Sequence, residues 1–94
     1  MKWCSYRVGI IVDISDSFDD QHKYITIGSS PYDVNTFIKL VCNEKTLVLG
    51  PKYREIRLED LEVGDLVVAY YSNAMTKSIP PQATAYIIKK LNNE

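Results

Sequence analysis

His22 is the single histidine of the chain, so acid–base chemistry near neutral pH would rest on it alone. A Ser-His-Asp relay can be drawn from Ser78, His22 and Asp65, with the imidazole taking the hydroxyl proton and the carboxylate orienting the ring. No nucleophile-elbow pattern surrounds Ser78, and the expectation is a solvated turn histidine in a chain that is not an enzyme. Asp13, Ser15, Ser17 and Asp19 stand at alternate positions, the spacing of the first oxygen ligands in an EF-hand calcium loop. Phe18 stands where that loop requires Gly, and Tyr24 where it requires the closing Glu, so the segment reads as a solvated hairpin loop and no metal site is assigned. Cys4 and Cys42 match no CxxC or zinc spacing and read as reduced thiols, and no cofactor is implied.

Two features point instead to association. The segment Asn73 to Gln82 is longer than a hairpin requires and is stiffened by Pro80-Pro81. A stiff loop loses little entropy when bound, and Thr76, Ser78, Pro80, Pro81 and Gln82 are its candidate contacts. The competing reading folds Ile79 and the prolines over the barrel end as a lid. The strand Asp65 to Ser72 is apolar on both faces: Leu66, Val68 and Tyr70 on one, Val67, Ala69 and Tyr71 on the other. One face is expected to meet the core, leaving Val67, Ala69 and Tyr71 as an association face for a second copy.

The elements that must position these residues are strands. Ile and Val number 18 against 11 for Leu and Ala, and seven tyrosines add to them, a balance that favours a pleated, half-buried surface. From Tyr6 to Ile14 the alternation is nearly unbroken, with Tyr6, Val8, Ile10, Val12 and Ile14 on one side and Arg7, Gly9, Ile11 and Asp13 on the other. Gly9, placed on the outer side, marks a bend or a close backbone approach. A second strand spans Lys23 to Gly28, with Ile25 and Ile27 sharing a face. Thr36 to Val41 reads as a third, with Ile38 and Leu40 inward and Lys45 to Leu49 as its return arm across Asn43-Glu44. Leu58 to Leu61 reads as one helical turn, Gly64 as the positive-φ residue of a tight turn, and Ala83 to Leu91 as the last strand. The class is all-β: a small five- to six-stranded antiparallel barrel, OB-like or alternatively SH3-like, forming one domain over residues 1–94.

From Val34 onward the chain resembles small bacterial OB-like barrel domains of uncharacterised function. The resemblance rests on Thr36-Phe37-Ile38, on the turn Leu61-Glu62-Val63-Gly64-Asp65-Leu66-Val67 and on Ala85-Tyr86-Ile87-Ile88. Ser78-Ile79-Pro80-Pro81-Gln82 is similar to a loop found in a narrower subset, mostly in Gram-positive bacteria. The resemblance implies a fold and no activity.

Eleven Lys and Arg against twelve Asp and Glu leave a net charge of −1, and the cations are scattered, which argues against nucleic acid as a partner. Only Lys52, Arg54 and Arg57 gather, around Tyr53. The longest apolar run, Leu66 to Tyr71, falls far below the ~20 residues a membrane helix needs. As written, the chain is expected to be cytoplasmic, or exported if a leader precedes it in nature. The functional expectation is a module that associates with itself or with a protein partner, the alternative being an OB-type binder of single-stranded nucleic acid or oligosaccharide.

Overall fold

Branched residues at alternate positions form the strands, and their inward members make the core. Ile25 and Ile27, Ile38 and Leu40 are fully buried, as their spacing predicts. A computed structural model describes residues 4–16 and 22–92. In chain order its strands are β1 (Cys4–Asp16), β2 (Lys23–Gly28), β3 (Ile38–Cys42), β4 (Leu47–Leu49), β5 (Leu66–Ser72) and β6 (Gln82–Lys90). Two 3₁₀ turns, Val34–Thr36 and Leu58–Asp60, are the helical pieces among the described residues.

Five strands close into the expected small all-β barrel in the order β3-β2-β1-β5-β6, with β6 returning to β3. The β1–β2, β1–β5, β2–β3 and β5–β6 ladders are antiparallel, whereas the closing β3–β6 ladder is parallel. β4 is the sixth strand and lies outside that circuit. It pairs in parallel with β6 through Leu47↔Ile87, Val48↔Ile88 and Leu49↔Lys89. Lys45 to Leu49 is therefore not the return arm of a hairpin: β3 and β4 run in the same direction along one edge of β6. Thr46 explains the departure. Its backbone N–H closes a turn onto Asn43 O at 3.0 Å, its hydroxyl accepts from Asn43 N, and the same hydroxyl donates to Ala85 O at 2.9 Å. The turn is extruded from the edge, and the hydroxyl supplies a ladder bond where the strand is interrupted.

β1 serves both halves of the barrel, Cys4 to Ile10 against β5 and Ile10 to Asp16 against β2. Its inward side is the reverse of the expected one. Tyr6 and Val8 are exposed, while Gly9 and Ile11 are buried. A Cβ on Gly9 would stand 3.1 Å from Gly28 O, so the close approach is real but occurs on the inner side, where the end of β2 crosses. A bulge between Ile11 and Asp13 then shifts the alternation, and Ile14 turns toward the core.

The Gly64-Asp65 turn locks onto that bulge. Gly64, at φ 100°, donates to Ile11 O at 2.8 Å, and Ile11 N donates to Asp65 O at 2.9 Å. The buried Asp65 carboxylate accepts from Glu62 N at 2.9 Å and faces Lys90 Nζ at 3.6 Å. Asp65 is thus part of a structural corner, and the stretch β5, about 20 Å long at its residue spacing, separates it from the loop that holds Ser78. The structure does not bring Ser78 and Asp65 together.

Candidate partner-binding loop and outer face

The loop between β5 and β6 is held at both ends by the barrel. Ser5 Oγ donates to Asn73 Oδ1, and Ala74 N donates to Ser72 Oγ at 3.0 Å where the chain leaves β5. On the other side Lys39 N of β3 donates to Pro81 O at 2.9 Å, extending the parallel ladder by one bond. Across the base, Thr76 N donates to Gln82 O at 2.9 Å.

Inside the loop four groups form a chain. Gln82 N donates to Thr76 Oγ1 at 3.0 Å, Thr76 Oγ1 and Ser78 Oγ are 2.6 Å apart, and Ser78 Oγ donates to Pro80 O at 2.9 Å. A hydroxyl has one proton to give, and that of Ser78 goes to Pro80 O. The proton between the hydroxyls therefore belongs to Thr76, which donates to Ser78. Thr76 and Ser78 are thus braces of the loop and not free polar contacts, and Gln82 serves through its backbone. The Ile79–Pro80 peptide is cis. Ile79 is 98% exposed, so it is no lid over the core. Lys77 and Ile79, alternating with the two braced residues, both point to solvent.

Val67, Ala69 and Tyr71 belong to the chain's own core, at 0, 0 and 3% exposure, and so form no association face. The other side of β5 faces outward, and cross-strand pairing extends it. One row runs Tyr6, Tyr70, Ile87, Leu47 across β1, β5, β6 and β4, and the next runs Val8, Val68, Lys89, Leu49. Ile10 and Leu66 begin a third row, which Leu91 N continues by donating to Leu66 O at 2.7 Å. The Tyr6 and Tyr70 rings are 5.8 Å apart and tilted. The one charge in these rows, Lys89, turns away: its Nζ lies 4.4 Å above the Tyr53 ring and 3.4 Å from Pro51 O. Tyr53, at the centre of the small basic cluster, is in this way occupied by a cation of the barrel, and Arg57 faces Glu59 at 3.8 Å.

Over β2 and β3, on the side away from the core, Asp13, the buried Thr26, Lys39 and Gln82 lie in one row, and Lys39 Nζ sits 4.7 Å above the Tyr24 ring. At the far end from the loop, a recess of about 550 Å³ is lined by Asp16, His22, Lys23, Glu44 and Glu55 among others, with Asp16 paired to Lys23 at 2.8 Å. Of the calcium-like series, Asp13 is exposed and Ser15 half-buried, while Ser17, Phe18 and Asp19 lie outside the described residues. Among the described residues no group of three or more His, Cys, Asp or Glu is arranged to hold a metal ion, and no helix is long and apolar enough to cross a membrane. Cys4 and Cys42 are not joined in a disulfide, and burial pushes the Cys42 thiol up to about 12.

No protein-family model matches this chain, and no curated protein is detectably similar to it.

Proposed function

We propose that this chain is a non-enzymatic association module on an OB-like barrel, engaging a protein partner through the loop from Thr76 to Pro81. One observation carries the reading: the two exposed hydroxyls that could have met a partner are spent on each other and on the backbone of the loop, and Lys77 and Ile79 are left on display. Ordering a mobile side chain on binding costs about 0.5–1.5 kcal/mol, and a loop that is already ordered avoids much of that cost. The connectivity β1-β2-β3-β6-β5-β1, with a long bent first strand shared between both halves, supports the OB-like assignment.

A second reading, self-association, draws on the outer rows of β1, β5, β6 and β4. Their apolar residues carry no free charge that would repel an identical face across a two-fold axis, since Lys89 is engaged elsewhere. The two readings separate in one experiment. A photo-cross-linking residue at Ile79, expressed in native cells, is expected to yield an adduct with a different protein, and the same residue at Val8 an adduct of two copies. Absence of any adduct from Ile79 would overturn the first reading, and a Val8 variant that stays monomeric and uncross-linked the second.

A further inference from the structure

We infer that the partner of this loop is a serine endopeptidase that cleaves after basic residues, and that the loop inhibits it by binding as a substrate does, with Lys77 in the specificity pocket. The inference rests on reading the loop as the partner-binding element, and adds the class of partner.

Such a protease grips an exposed loop by burying one side chain in a pocket with a carboxylate at its base, and places the following peptide bond against its serine. Lys77 meets the first requirement. It is exposed, and no ion pair holds it among the described residues. Its two neighbours are linked to each other, Thr76 Oγ1 to Ser78 Oγ at 2.6 Å, so the backbone on both sides of the Lys77–Ser78 bond is fixed before any encounter. Ile79, at 98% exposure, presents an apolar side chain on the leaving-group side of that bond. A lone lysine on a neutral surface is a poor phosphate or nucleic-acid site, because such binding needs several cations together. A lysine that enters a pocket holding a single carboxylate needs no others.

The bracing also explains why the loop would inhibit rather than be consumed. The protease serine oxygen attacks the Lys77 carbonyl carbon, its proton passing through the protease histidine to the Ser78 nitrogen as the Lys77–Ser78 bond breaks. This leaves an acyl-enzyme on Lys77 and a free amine on Ser78. The two new ends cannot separate. The Lys77 side is tied through Thr76 to Gln82, and the Ser78 side through its hydroxyl to Thr76 and Pro80 and through Pro81 O to Lys39 of β3. The amine therefore stays beside the acyl carbon in water's place and attacks it, returning its proton through the histidine to the serine oxygen and re-forming the peptide bond. Nothing is consumed in the cycle. Proximity of this kind favours the tethered amine strongly over water.

Trypsin assayed on a lysine p-nitroanilide tests the inference with the whole chain. The intact protein at roughly 1 µM is expected to lower the rate by about tenfold or more and to remain uncleaved during the assay. Lys77→Leu, at an exposed position, is expected to weaken inhibition of trypsin by about a hundredfold and to move it to chymotrypsin, whose pocket is apolar. Thr76→Val removes the link to Ser78, and the loop is then expected to be cut between residues 77 and 78 roughly tenfold faster than in the wild type. Unimpeded trypsin, equal inhibition by wild type and Lys77→Leu, or equal cleavage of wild type and Thr76→Val would each overturn the assignment. Where trypsin is unimpeded but Ile79 still cross-links to another protein, the protease assignment falls and the loop remains the binding element. Where both fail, the loop reading falls with it.

Discussion

Tyr70 and Tyr71 are adjacent residues of one type on opposite sides of β5, and truncating each in turn measures which side is the core. Tyr71 is 3% exposed, and the residues directly across from it are Ser5 and Ala85. Neither is large enough to refill the space a ring leaves, so Tyr71→Ala is expected to create a true cavity and to cost about 3–5 kcal/mol. Tyr70 is 37% exposed and loses chiefly its contact with the Tyr6 ring, so Tyr70→Ala is expected to cost about 1 kcal/mol. A chain of this length has a total stability of about 5–14 kcal/mol, so the first change removes a large fraction of it and the second does not. Urea unfolding followed by far-ultraviolet circular dichroism reads the difference. With a slope of about 1–2 kcal/mol per molar, the Tyr71→Ala midpoint is expected roughly 1.5–5 M below wild type, and that of Tyr70→Ala within about 1 M. Equal costs, or a larger cost at Tyr70, would refute the assigned inward face of β5 and with it the outer rows built on Tyr70.

Gly28→Ala is expected to destabilise by about 1–3 kcal/mol, because the new Cβ would stand 2.6 and 2.8 Å from two ring carbons of Phe37. Thermal melts check this, and Phe37→Leu in the same chain should recover part of the loss; a neutral Gly28→Ala would show that the ring moves freely. Cys42 makes stability fall at alkaline pH. Below 9.0, the thiol's ordinary value, both states keep the proton; above it the unfolded chain releases the proton while the folded chain holds it up to about 12, so the unfolded state gains. Wild type is expected to lose about 1.4 kcal/mol more than Cys42→Ala between about pH 8 and about pH 10 in urea titrations, and parallel losses would contradict the burial of this thiol.

The strands were legible because period-two patterns of Ile and Val report local geometry. Ile25 with Ile27 and Ile38 with Leu40 lie inward as their spacing indicates, and Gly64 takes the positive φ that its turn needs. The inward side was not legible where both sides are apolar. Alternation has a period but no sign, and on β1 and β5 the sign follows from tertiary contact: the Gly9–Gly28 approach fixes what faces in, and the bulge after Ile11 reverses it partway along. The path of β4 was hidden for a similar reason. Asn43-Glu44 has the local chemistry of a reversal, and what prevents a hairpin is the bond from Thr46 to Ala85, 39 residues away. In the loop, composition singled out Thr76, Ser78 and the prolines. A hydroxyl that binds a partner and one that binds its own loop have the same sequence, so the displayed residues, Lys77 and Ile79, emerged from the hydrogen-bond directions.

The loop and the apolar rows also bear on each other through area. A stable protein complex buries about 800 Å² on each partner, and the six residues from Thr76 to Pro81 supply roughly half of that. The remainder must come from surface beside the loop, and β5 leads from the loop to the apolar row that begins with Tyr6 and Tyr70, the latter two residues before the end of β5. Exposed tyrosine is well suited to the rim of an interface, giving a large rigid area with a polar tip. A partner seated on Lys77 would therefore extend over the Tyr6–Tyr70 pair and cover the row through which two copies would meet. On this reading the apolar face is kept open by use, and pairing of two copies competes with the loop's partner for the same tyrosines.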